Sequence, residues 1–368
     1  MTSFAIFRQP RQLACTFVAQ TEGCPLQLAS PSDLAAQQGF VVAPFAATPS
    51  EPLLIIRPDR VLTFATADDA LSELGDLGCH LAGHGDNGGD GRAAYAADFA
   101  TFHQALCSRR FQKLVLARSV QQRRPAGVNP LQLFARACQS YPRMFIALVS
   151  TPQSGTWLTA TPELLLDASD PRCCRTIALA GTMQLTANQL EGEGERRTWS
   201  VKNIQEQRYV ASFVADCLRH LAIDYREEGP RTVRAAHLLH LRSDFTFNTD
   251  VRACELLAAL HPTPAVCGLP QAEARRFILS HEHTARRYYS GFQGPFRLPT
   301  SQAALLSAPP AATTTTTLYV SLRCMQILPD ACLLYAGGGL LPESTEDREW
   351  QETEAKLQTM RQLLTPNS

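Results

Sequence analysis

With 368 residues, 45% of them hydrophobic, the chain can bury one large core or two smaller ones. Its 34 basic and 34 acidic residues cancel, so nucleic acid or any other polyanion is not an expected partner. No apolar run is long enough to span a bilayer, and Arg8, Pro10 and Arg11 interrupt the stretch where a secretory leader would be apolar. The twelve scattered cysteines contain no C-x-x-C pair, so the expectation is a cytoplasmic protein with reduced, mostly buried thiols.

Residues 1–92 say least. Strand-like pieces, Leu53–Ile56 and Val61–Phe64, alternate with Pro-rich turns. In Cys79–Gly91, His80 and His84 lie one helical turn apart before a Gly/Asp loop; the calcium-loop pattern lacks its closing glutamate, so this reads as a surface loop. Apolar spacing through Tyr95, Phe99, Phe102 and Leu106 predicts a helix over 92–108. A strand, FQKLVLARSV at 111–120, follows, with Lys113, Val115, Ala117 and Ser119 on one face. If that face is inside, Lys113 is a buried amine, and burial can turn a lysine into a base near neutrality; otherwise it snorkels from the strand end.

After a helix over 130–138, Phe145–Val149 and Trp157–Asp167 read as paired strands. The second is interrupted at Thr161-Pro162-Glu163, where a proline-marked bulge can re-aim Glu163 into a site. A carboxyl beside three leucines has a raised pKa and suits a general acid; the alternative is an edge-strand glutamate. Thr176–Thr182 is a strand, Asn188–Arg197 an exposed loop, and Trp199–Leu221 a helix with Val210, Phe213, Val214, Cys217 and Leu221 as its apolar stripe. Glu206 falls on that stripe and needs a cationic partner, a metal or a basic side chain. A strand over His237–Phe247 and a helix over Ala253–Leu260 precede the proline-stiffened loop His261–Pro270, a helix over Gln271–Leu279 and a bent strand within Glu282–Phe296. Thr313–Thr317 reads as a linker or hairpin insertion before a strand over Leu318–Ile327, with Arg323 mid-strand as a carboxylate clamp or a structural ion pair.

The last stretch is YAGGGLLPESTEDREWQETEAK. A strand over 331–335 runs into Gly337, Gly338 and Gly339, read as a tight anion-binding turn, and a helix capped by Ser344 or Thr345 follows. On that helix Trp350, Thr353, Leu357, Met360 and Leu364 form the buried stripe, with Glu349, Glu352 and Lys356 together at its margin. A small anionic ligand with a metal is one reading; a surface helix with an ordinary Glu352–Lys356 pair is the other.

KLVLAR at 113–118, TPELLL at 161–166, LAGT at 179–182, KNIQEQ at 202–207, HPTPAVCGLP, YYSGFQG, LRC at 322–324 and YAGGGLLPES…EWQETEAK occur together and in order. On these motifs the chain resembles the chorismate-utilising enzymes, and within them the isochorismate synthases, over about residues 93–364. The resemblance implies an α+β fold of large antiparallel sheets packed together with helices outside; residues 1–92, which like the Thr run have no clear counterpart in the family, are expected to add strands to the same body as the 93–365 core. It implies Mg²⁺-dependent conversion of chorismate to isochorismate. Lys113 is then similar to the base that activates water, and Glu163 to the acid that protonates the departing hydroxyl. Glu206 and Glu352 resemble the magnesium carboxylates, with Glu349 a further acid near the metal. Arg323, Tyr289 and Gly337 resemble the enolpyruvyl carboxylate clamp, Lys356 lies close to the metal, and Gly181, Thr182, His240 and Ala265 match substrate-lining positions. Alanine at 180 argues against the aminodeoxychorismate branch, which has a lysine there, and lysine at 113 against the anthranilate branch, which usually has glutamine. Salicylate synthase is the nearest rival, and a non-catalytic chorismate binder the alternative of another class. No glutaminase subunit is expected, and a monomer or weak dimer is. HTARR after Glu282 and Pro295 depart from the family's usual spelling. Menaquinone and siderophore routes both remain open.

Overall fold

The computed structural model describes residues 3–81, 91–184, 198–301 and 314–365. Two nine-stranded sheets, antiparallel at every pairing, form the body. The first runs, edge to edge, Gly268–Leu269, Lys113–Arg123, Ala331–Leu340, Cys324–Ile327, Gly155–Thr161, Phe145–Thr151, Ser3–Arg8, Cys15–Gln20, Arg60–Phe64. The second runs Tyr225–Ala235, Leu238–Phe247, Cys174–Gln184, Leu164–Asp167, Thr317–Val320, Phe292–Phe296, Gly39–Ala43, Leu53–Ile56, Leu26–Leu28.

The packing follows from the two-residue period of a strand. In Ser3–Arg8, Ala5 and Phe7 face the second sheet, and Phe4 and Ile6 face helices on the other side. Phe145 stacks on Tyr319 of the opposite sheet with ring centroids 4.1 Å apart, and Phe7 meets Phe40 at 5.4 Å. The outer face of the first sheet is covered by helices Pro130–Ser140 and Glu346–Leu364. Gly91–Cys107 and Gln271–His281 cover its Lys113 end, and Val201–His220 with Ala253–Leu260 covers the second sheet. Strands buried on both sides, such as Phe145–Thr151 and Gly155–Thr161, are therefore continuously apolar or threonine-rich rather than alternating. No helix among the described residues is long and apolar enough to cross a membrane.

Several expectations are corrected. Gly337–Gly339 do not form a turn: they lie inside the strand Ala331–Leu340, paired with Ala117, Leu116 and Val115. Trp157–Asp167 is two strands in different sheets, and Thr161-Pro162-Glu163 is where the chain crosses between them. Leu318–Ile327 is likewise split, and Arg323 stands in the crossing at φ +47° rather than mid-strand. A proline, which cannot donate to a ladder, and a left-handed residue both end pairing at those points. Of Glu282–Phe296 only Phe292–Phe296 is strand, because Arg287 and Ser290 take positive φ. Thr314–Thr315 pairs with Leu298–Pro299, and Thr317 begins a second-sheet strand; Thr313 lies outside the described residues. On Val201–His220 the buried positions are Glu206, Gln207, Val210, Val214, Ala215 and Leu218, while Phe213, Cys217 and, just past the helix, Leu221 are only half-buried. Trp350 is half-buried too, beneath the Arg118 guanidinium. Thr345 caps the last helix by position without a side-chain hydrogen bond, and Ser344 Oγ accepts from Leu341 N–H. His84 and the loop 188–197 lie outside the described residues.

Candidate active site

The two sheet crossings run side by side. Val320 N–H donates to Glu163 C=O at 2.9 Å, and Ala160 N–H to Arg323 C=O at 3.0 Å. Backbone that leaves one ladder before joining the next is free to present its side chains to the gap between sheets. Here that brings Glu163 and Arg323 to one cleft. Its walls also carry Gly181, Thr182, Glu206, His240, Ala265, Tyr289, Gly337 and Lys356. Lys113 and Glu352 do not line it directly but are paired with Glu206 and Lys356, which do; Glu349 is paired with Lys202, outside the lining.

Glu163 is 3% exposed, with Thr263 Oγ donating to its Oε1 at 3.5 Å. Burial pushes its carboxyl up to about 7, against the pull of Lys113, Thr263, Arg323 and Lys356. A carboxyl at that value is partly protonated at neutral pH and can give up a proton there. Lys113 is fully buried; its Nζ lies 3.0 Å from Glu206 Oε1, and its N–H directions meet no well-aligned acceptor among the described residues. Helix Val201–His220 turns Glu206 inward in the turn before Val210, and the strand Lys113–Arg123 turns the amine toward it.

Arg323 donates to His240 Nε2 at 2.9 Å, while His240 Nδ1 lies 2.8 Å from Gly181 C=O. A guanidinium has no acceptor, so Nε2 accepts and the proton sits on Nδ1. Burial, with Arg323 and Lys356 close by, lowers His240 to about 3 and keeps it neutral. Burial also lowers Arg323, to about 10, which leaves it charged at neutral pH. Gly181 takes φ +72°, and an added Cβ there would stand 3.2 Å from Asn203, so glycine fits on both counts. Tyr289 is buried and stacks on Tyr335, with its hydroxyl 2.7 Å from where a Cβ at Gly337 would stand.

The glycines of Ala331–Leu340 thus serve the site by leaving room. A Cβ on Gly339 would lie 2.0 Å from Glu206 Oε1 and 2.9 Å from Lys113 Cε. One on Gly338 would meet Glu349 Oε2 at 3.4 Å and Glu352 Oε1 at 3.7 Å. Helix Glu346–Leu364 brings both acids to that backbone. Lys356 Nζ bridges Glu352 Oε1 at 2.6 Å and Gly337 C=O at 2.8 Å. Burial alone would raise Glu352, but Lys356 and Lys202 overcome it and hold the carboxyl at about 2. Burial raises Glu349, which is 2% exposed, against the pull of Lys202, which donates to its Oε1, and of the nearby Ser344 hydroxyl; among the described residues no well-aligned hydrogen bond reaches its Oε2.

Three carboxylates around a bare strand backbone, one with an orphaned buried oxygen, are an oxygen donor set suited to a hard divalent cation. As the side chains stand, each acid is turned to its own lysine, and among the described residues no three ligating groups are arranged to hold an ion. Lys202 and Thr263 are the residues sequence reasoning missed. Lys202 precedes Glu206 by one helical turn inside KNIQEQ, a spacing that could have signalled it; Thr263 offers no signal, because only the fold brings its loop to Glu163.

A carboxyl raised toward neutrality and an arginine line the cleft, with a buried amine and a carboxylate cluster beside it, a set of groups suited to a small anionic molecule. Residues 90–365 match the family model described as "Chorismate binding enzyme", and the chain belongs to that family. It is similar to isochorismate synthase DhbC of Bacillus subtilis (strain 168), 31% identical over 260 residues, covering 67% of this chain and 62% of DhbC. It is also similar to isochorismate synthase MenF of Escherichia coli (strain K12), 28% identical over 258 residues, covering 68% of this chain and 56% of MenF. In sequence it therefore spans less than two thirds of either relative. The solved structure of MenF, the menaquinone-specific isochorismate synthase from Escherichia coli, superposes with a TM-score of 0.74 at 22% identity, over 99% of this chain and 89% of that one. That likeness establishes the shared fold.

Proposed function

We propose that the protein is an isochorismate synthase, converting chorismate to isochorismate with Mg²⁺. The observation that carries this reading is a neutral-leaning carboxyl, Glu163, lining the cleft, with a buried amine, Lys113, near enough to act on its charge and paired with the cleft residue Glu206. The reaction moves a hydroxyl from one ring carbon to another. Water's oxygen bonds to the new carbon as the bond to the departing hydroxyl breaks. Lys113 takes a proton from that water and Glu163 gives its own to the leaving oxygen, so one water is consumed and one released. Arg323, held by neutral His240, clamps a substrate carboxylate beside Tyr289 and Gly337, and Gly181, Thr182 and Ala265 shape the wall. Glu206, Glu349 and Glu352 would hold Mg²⁺, which supplies charge neutralisation for the second carboxylate when bound. Lysine at 113 and alanine at 180 favour water as nucleophile over ammonia or a covalent lysine.

Purified protein incubated with chorismate and Mg²⁺ is expected to yield isochorismate on chromatographic separation. Salicylate and pyruvate as main products would place it with the salicylate synthases, and binding without turnover among non-catalytic binders.

A further inference from the structure

Of the three lysines paired to the acid cluster, Lys113 is the base of the reading above and Lys356, on the cleft wall, ties Glu352 to Gly337 C=O; Lys202 has no such place. It stands in the first turn of Val201–His220, four residues before Glu206 on the same face, and reaches across to Glu349 Oε1 on Glu346–Leu364. A unit positive charge thus sits between acids supplied by two different helices. The carboxylate it holds is half-used, since among the described residues Glu349 Oε2 is buried without a well-aligned hydrogen bond, and a Cβ on Gly338 would meet both it and Glu352 Oε1. Without a cation, buried carboxylates this close repel one another and carry the cost of desolvation. With a divalent ion among them, the ammonium becomes a like charge at short range.

We propose that Lys202 is an internal counter-ion: it occupies the acid cluster while no divalent cation is bound, and it must release Glu349 for the cation to bind. This rests on the assignment of Glu206, Glu349 and Glu352 as the Mg²⁺ acids. Lys202 then stabilises the metal-free enzyme, weakens metal affinity and keeps the ion exchangeable.

The test uses the full chain without chorismate. In calorimetric titration with MgCl₂, Lys202→Met is expected to bind about tenfold more tightly than wild type, while Lys202→Arg, which keeps the charge, stays near the wild-type value. In EDTA Lys202→Met melts at a lower temperature than wild type and gains more on adding Mg²⁺. If the variant does not fold in EDTA, the wild type still decides the matter: acylation of the Lys202 amine, followed by peptide mass spectrometry, is expected to increase when Mg²⁺ is present. Unchanged or weaker binding by Lys202→Met, or Lys202 acylation indifferent to Mg²⁺, overturns the proposal while leaving the metal assignment standing. A wild type that binds no Mg²⁺ removes both.

Discussion

Glu163 is a carboxyl kept where water cannot solvate its charge. The gap between about 7 in the folded chain and the ordinary 4.5 corresponds to roughly 3 kcal/mol. The sign follows from proton linkage: the folded state holds this proton more tightly, so Glu163 costs nothing below pH 4.5. The cost grows as pH rises through the window to 7 and is complete above it. Glu163→Gln removes the titration. The ligand-free variant is therefore expected to be more stable than wild type by about 2–3 kcal/mol at pH 8 and no more stable at pH 4, while losing turnover. Urea unfolding at the two pH values, with a product assay, checks this; equal stability at pH 8 would mean that the carboxyl is not desolvated in solution. Such a trade of stability for reactivity is expected of a general acid and not of an edge-strand glutamate.

At the level of elements, the strand Ala331–Leu340 sets the spacing of the acid cluster. Its side-chain-free segment is what lets acids from Val201–His220 and Glu346–Leu364 close on one backbone. Gly339→Ala would push a methyl into the Glu206–Lys113 pair, and overpacking of this kind costs about 1–3 kcal/mol. Gly338→Ala meets its nearest atoms at 3.4 and 3.7 Å, ordinary contact. Gly339→Ala is therefore expected to lower the urea midpoint and abolish turnover. Gly338→Ala is expected to fold normally and bind Mg²⁺ more weakly, because the methyl stands between the two acids. Wild-type turnover in Gly339→Ala would show that the amine–acid pair is not needed where it stands.

Across the whole molecule, the first 64 residues supply strands to both sheets. Ser3–Arg8 pairs with Phe145–Thr151, and Gly39–Ala43 with Phe292–Phe296. Both of those partner strands are buried along their full length. A chain beginning at residue 65 would leave two apolar strands with open edges, a template for aggregation. It is expected to be insoluble or to lack a cooperative unfolding transition, and a soluble fragment with a sharp melt would instead make residues 65–365 an independent unit. The amino-acid order already encodes much of this body. Apolar alternation located the strand holding Lys113. Helical spacing put Glu349, Glu352 and Lys356 on one face and turned Glu206 inward, because those patterns depend only on neighbours a turn or a pleat away. Sequence could not say that Pro162-Glu163 and Leu322-Arg323 are crossings between sheets, that three glycines are clearance rather than a turn, or that Lys202 holds Glu349. Those facts depend on which distant strands and helices meet, and local periodicity carries no information about pairing across a hundred residues of chain.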